Sequence, residues 1–181
     1  MRGISRISQS AIARTAAGLL AIAAIFYIVA WGRSERGAID EAPLGRAPEF
    51  VLKDYGGKEV THTDIFGKPA LIHVWASWCP FCREELENLA EIKKEFGEAI
   101  TIVAINRAES RDIAASTYAT LGTATGTVLL LDPDDTYYST IGGFAMPETI
   151  FTDPDGNIVF HKRGPQTLEE LRRLTEDVIA R

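Results

Sequence analysis

Hydrophobic and polar positions alternate along most of the chain with periods that change from strand-like to helix-like and back. Phe50 to Lys53 and Lys58 to Thr61 flank Tyr55-Gly56-Gly57, which predicts a β-hairpin. The apolar run Ala70 to Ala76 predicts a buried strand covered on both faces, and Ile100 to Ile105 a second one. Between them Leu86, Leu89, Ala90, Lys93 and Phe96 recur at helical spacing, predicting a helix over Arg83 to Phe96. Ser110 can cap a helix running to about Leu121, followed by a short strand over Val128 to Leu131 and a short helix over Asp134 to Ile141. Thr149 to Thr152 and Ile158 to His161 form a hairpin around Pro154-Asp155-Gly156. Thr167 and Glu170 have capping-box spacing ahead of Leu168, Leu171, Leu174 and Val178, an amphipathic closing helix. This alternation implies an α/β fold with a central mixed sheet.

The N-terminal part follows a different pattern. Thr15 to Gly32 is eighteen residues without a charge, bracketed by Arg14 and Arg33. That length is at the short end of what spans a hydrocarbon core of roughly 30 Å. Tyr27 and Trp31 stand toward its far end, as interfacial aromatics do. A cleaved secretory signal would need a small-x-small site after the run, and Ile28-Val29-Ala30 followed by bulky Trp31 fits poorly, which favours an uncleaved anchor. Arg2, Arg6 and Arg14 precede the segment while Arg33 and Arg36 follow it, a bias toward a cytoplasmic N-terminus. The expected organisation is a cytoplasmic stretch over 1–14, an anchor over 15–32, a linker over 33–45 rich in charge, glycine and proline, and an exported globular domain over 46–181.

Charge separates the two parts further. The first 36 residues hold five arginines and one glutamate, so the remainder carries a net −10 against −6 for the whole chain. So acidic a domain argues against nucleic acid or anionic lipid as a partner.

The chain has two cysteines, placed together as Trp78-Cys79-Pro80-Phe81-Cys82 between the buried strand and the helix. On the first turn of a helix this spacing puts both sulfurs on one face, close enough to open and close a disulfide. Unpaired N–H groups and the positive end of the helix dipole stabilise a thiolate, which predicts a depressed pKa and nucleophilic character for Cys79. A zinc site would need four ligands, and His62, His73 and His161 show no matching spacing. A purely structural disulfide across so short a loop removes little entropy from the unfolded chain. Redox exchange is the reading that remains, and it needs no bound cofactor.

Ala47-Pro48-Glu49-Phe50, Asp64 to Pro69, Val74 to Cys82 and Met146-Pro147-Glu148-Thr149 resemble the membrane-tethered thioredoxin-like reductases of the TlpA type, including those serving cytochrome c maturation. The resemblance covers roughly residues 43 to 180 and implies a thioredoxin-like fold with an N-terminal hairpin and a βα insertion between about Ser110 and Leu131. It implies that Cys79 is the exposed attacking thiolate and Cys82 the resolving thiol. Pro147 would be a cis-proline whose preceding residue, Met146, pairs with a client strand. Glu85 matches an acidic residue that tunes the cysteines, as against an ordinary exposed helix carboxylate. His73, six residues before Cys79, occupies the place of a buried proton-relaying acid in thioredoxin, as against a core histidine. Trp78, Pro80 and Phe81 complete the motif, the two aromatics as an apolar rim. Met146 and Glu87 depart from the commonest family pattern. The implied partners are client protein disulfides and a membrane dithiol protein that donates electrons, with the domain itself a monomer.

Other classes use some of the same residues. A dithiol oxidase or isomerase differs only in redox potential. A thiol peroxidase would need proline and threonine where Ile72 and Ala76 stand. A copper-delivery protein would need a third soft ligand beside the pair. A non-enzymatic binding module would keep its function without the cysteines.

Overall fold

Alternating residues of one central strand feed two separate cores. A computed structural model describes residues 45–121 and 126–181, in which β1 (Val51–Asp54), β2 (Glu59–Thr61), β3 (Ala70–Trp75), β4 (Thr101–Arg107), β5 (Thr127–Asp132), β6 (Glu148–Thr152) and β7 (Ile158–Arg163) join in one sheet of order β2-β1-β5-β4-β3-β6-β7. β3, β4 and β5 run parallel, and the pairs β3–β6, β6–β7, β1–β5 and β1–β2 are antiparallel. Every residue of β3 is buried. Ala70, Ile72 and Val74 pack with Val103, Ile105, Leu130, Ile150, Tyr137 and Tyr138. Leu71 and Trp75 pack on the opposite face with Cys79, Cys82, Leu86, Leu89, Ile92, Leu171, Leu174 and Val178. The apolar run of β3 therefore reflects cover on both faces.

The helices are α1 (Pro80–Phe96), α2 (Arg111–Thr120), α3 (Thr136–Thr140) and α4 (Leu168–Ile179). α1 begins three residues earlier than the apolar periodicity predicts. Pro80 has no N–H to leave unpaired and a φ suited to a first turn, and Cys79 caps the end by accepting the Cys82 N–H. At the other end Gly97 adopts φ 54° and donates its N–H to Lys93 O, while the Lys93 ammonium donates to Gly97 O and Ile100 O. Each large aliphatic side chain buried under α1 contributes about 1.5–3 kcal/mol, more than the roughly 0.7 kcal/mol that separates ordinary residues in helix propensity. Packing of Leu86, Leu89 and Ile92 thus decides where the cysteine-bearing end points.

Other boundaries shift for local reasons. β4 continues past Ile105 through Asn106, a polar residue buried by pairing with Trp75 and Leu131. α3 starts at Thr136, after the expected Asp134, because buried Asp132 accepts the N–H groups of Thr136 and Tyr137 at 2.9 Å each. Ser110 caps α2 as expected, accepting the Ile113 N–H. Of the capping box expected at α4, Thr167 accepts the Glu170 N–H at 3.2 Å, but the Glu170 carboxylate is drawn to Lys162 at 2.8 Å.

The expected segments 1–14 and 15–32, and the linker up to residue 44, lie outside the described residues. Among the described residues no helix is long and apolar enough to cross a membrane. Gly45 and Ala47 already bond to the β6–β7 hairpin, through Ile158 N to Gly45 O at 2.8 Å and Ala47 N to Gly156 O at 2.9 Å.

Candidate active site

Cys79 and Cys82 are joined by a disulfide at the N-terminus of α1, with their Cα atoms 5.3 Å apart. Cys79 is the N-cap, and its sulfur accepts the Cys82 N–H at 3.1 Å. A thiolate formed there meets a donor already in place and the positive end of a 17-residue helix. Cys79 is not exposed as the sequence suggested: in the disulfide form it is 3% accessible, and Cys82 is fully covered. Cys82, Glu85, Leu86 and Leu89 share the inner face of α1, and the bond to Cys82 ties the Cys79 sulfur to that face. The order of exposure is the expected one. Trp78 and Phe81, at 62% and 55% exposed, and exposed Pro80 form the outer surface around the pair.

The turn that delivers Cys79 is held from outside the motif. Glu109, just beyond β4, accepts the Ser77 N–H at 2.8 Å, the Ser77 hydroxyl, and Asn106 Nδ2 at 2.7 Å. Glu109 carries no local signal of this role, since the contact spans 32 residues.

On the inner side of α1 lies a buried polar network. Glu85 is fully buried, which removes the exposed-carboxylate alternative. Its Oε1 accepts the Thr149 hydroxyl at 2.7 Å and Gln166 Nε2 at 3.2 Å, and its Oε2 accepts the Gln166 N–H at 3.0 Å. His73, fully buried on β3, places Nδ1 3.0 Å from the Thr149 hydroxyl and 3.3 Å from Glu85 Oε1. Because the Thr149 proton goes to Glu85, the Thr149 oxygen is left to accept from His73 Nδ1–H. Burial pushes the Glu85 carboxyl up, but the hydrogen bond and charge of His73, the Thr149 hydroxyl and the Gln166 N–H outweigh it and leave the group below its ordinary value. His73 Nε2 is buried and has no partner among the described residues. The sequence pattern assigns no role to Thr149 or Gln166. A threonine inside a fully buried strand is a usable signal, whereas Gln166, 81 residues from Glu85, offers none.

The Met146–Pro147 peptide bond is cis. The β3–β6 register pairs Val74 with Glu148, so Pro147 stands level with the end of β3, one step from the turn into the cysteines. Met146 is half-buried and packs against both cores. Trp78, Cys79, Pro80, Phe81, Cys82, Met146 and Pro147 thus gather at one end of the sheet, with His73 and Glu85 beneath them. Glu87 is exposed and outside this group.

Comparison with known proteins agrees with this geometry. The AhpC/TSA family model matches residues 44–161. The thiol:disulfide interchange protein DsbE of Allochromatium vinosum is 34% identical over 138 residues, covering 75% of this chain and 74% of that protein. The thiol-disulfide oxidoreductase ResA of Bacillus subtilis is 30% identical over 122 residues, 67% of each chain. Among solved structures, the thioredoxin domain of a thiol-disulfide oxidoreductase from Bacteroides vulgatus superposes with a TM-score of 0.66 at 25% identity, covering 76% of this chain and 98% of that one.

Proposed function

The chain belongs to the AhpC/TSA family, and on that premise we propose that it is an exported, membrane-anchored reductase of client-protein disulfides, cytochrome c maturation being the setting its resemblance favours. It is a thiol-disulfide oxidoreductase of the DsbE and ResA type. The observation that carries the reading is the Cys79–Cys82 disulfide at the N-terminus of α1, with the Cys79 sulfur accepting the Cys82 N–H.

In the reduced protein the Cys79 thiolate attacks one sulfur of a client disulfide, forming a mixed disulfide and releasing the first client thiolate. Cys82 then gives up its proton and attacks Cys79 Sγ. The enzyme disulfide forms, the second client thiolate leaves, and two electrons have passed to the client. His73 takes up the Cys82 proton, and Glu85, one turn beyond Cys82 on the same helix face, stays ionised and tunes the pair. Met146 presents its backbone to the client strand, and Trp78 and Phe81 supply the apolar rim. A membrane dithiol protein returns the enzyme to its reduced form.

The reduction potential of the purified chain tests the direction of flow. A value near that of thioredoxin, about −270 mV, supports a reductase, and one near that of DsbA, about −120 mV, overturns it in favour of an oxidase.

A further inference from the structure

We propose that His161 and Arg163, on β7, are positioning residues for client exchange: through the buried Glu148 carboxylate they hold the 144–146 loop in the shape that receives a polypeptide segment bearing a disulfide. The inference rests on the oxidoreductase reading above.

Glu148 directly follows Pro147 and is fully buried. Its Oε1 accepts the backbone N–H groups of Phe144 at 2.8 Å and Ala145 at 3.0 Å, which closes the loop leading into Met146 and Pro147. Its Oε2 accepts His161 Nε2 at 2.8 Å, with Arg163 Nε at 3.7 Å. A buried carboxylate needs partners on both oxygens, so the loop contact on Oε1 depends on the β7 side chains satisfying Oε2. Arg163 has a second contact, its guanidinium carbon 4.9 Å from the centre of the Phe144 ring. Phe144 is 76% exposed, the most exposed large apolar side chain among the described residues. From the other side, the Tyr138 hydroxyl donates to Ala145 O at 2.8 Å. The Tyr138 ring also lies so close to Gly143 that a Cβ there would collide with it.

The loop is therefore held at Gly143, Phe144 and Ala145, immediately before the residue whose backbone faces the client. None of these bonds touches Cys79 or Cys82. The clasp consequently governs how a polypeptide seats and leaves the intrinsic reactivity of the thiol alone.

The test is stopped-flow oxidation of the reduced full chain by two substrates, hydroxyethyl disulfide and a synthetic peptide closed by one disulfide. His161→Ala should slow exchange with the peptide about tenfold, the scale of one lost hydrogen bond to a charged group, and leave the rate with hydroxyethyl disulfide unchanged. His161→Gln, which keeps an N–H donor, should restore most of the peptide rate. Arg163→Gln, at a more exposed position, should show the same selectivity should His161→Ala fold poorly. Equal losses on both substrates, or no loss on the peptide, would overturn the proposal. A wild-type chain that oxidises with neither substrate would instead bring down the oxidoreductase reading itself.

Discussion

Replacing Glu85 by glutamine keeps the shape of the side chain and removes one acceptor oxygen from a site that uses both. If the new amide replaces Oε2, it faces the Gln166 N–H; if it replaces Oε1, it faces the Thr149 hydroxyl, Gln166 Nε2 and His73 Nδ1. Either orientation orphans at least one buried donor at about 1–3 kcal/mol, and loss of a charge from a fully buried network adds to it. The expected cost is about 2–4 kcal/mol at pH 7, or a fall of about 1–2 M in the urea midpoint for a slope of about 2 kcal/mol/M. The pH dependence fixes the cause. Because the folded protein holds this carboxyl below its ordinary value, its stabilisation is present above the usual carboxylate range and is lost as the pH falls through the lowered value. The gap between wild type and Glu85→Gln should therefore be largest near neutrality and shrink in acid. Paired urea titrations at pH 7 and pH 3.5 measure it. Equal midpoints at pH 7, or a gap that does not narrow in acid, would refute the account of Glu85 as a buried ionised acceptor.

Two further outcomes follow from the same geometry. In the reduced protein, alkylation with mass mapping should label Cys79 before Cys82, since Cys79 caps the helix and is the less covered of the two; prior labelling of Cys82 would reverse the assignment of attacking and resolving thiols. His73→Ala should slow release of the mixed disulfide around neutral pH while the initial attack by Cys79 persists, read by stopped-flow exchange across pH 5 to 9; an unchanged second step in a protein that merely melts earlier would leave His73 as packing.

Much of the architecture is written in local pattern. The run from Ala70 to Ala76 could bury both faces only as a central strand. The Cys79-Pro80-Phe81-Cys82 segment carries its own helix start, because a capping side chain and a proline in the first turn act over three residues and need no distant partner. Leu171, Leu174 and Val178 define the inner stripe of α4 before anything is known of what it covers. The cysteine chemistry was legible for the same reason, since its geometry is set within a single turn.

What only the tertiary structure decided lies between elements. Periodicity says which face of α1 is apolar, yet Glu85 sits on that face as an acid, and its burial becomes intelligible only when Thr149 and Gln166 arrive from 64 and 81 residues away. The strand order that places β6 against β3 brings His73 beside Thr149 and Pro147 beside the turn into Cys79. The same holds for Glu148, whose burial becomes intelligible only once β7 sets His161 against it. A hydrophobic pattern specifies faces because transfer from water depends on each residue's own surface; the partner of a buried polar group depends on direction and distance, which exist only once the chain has closed on itself.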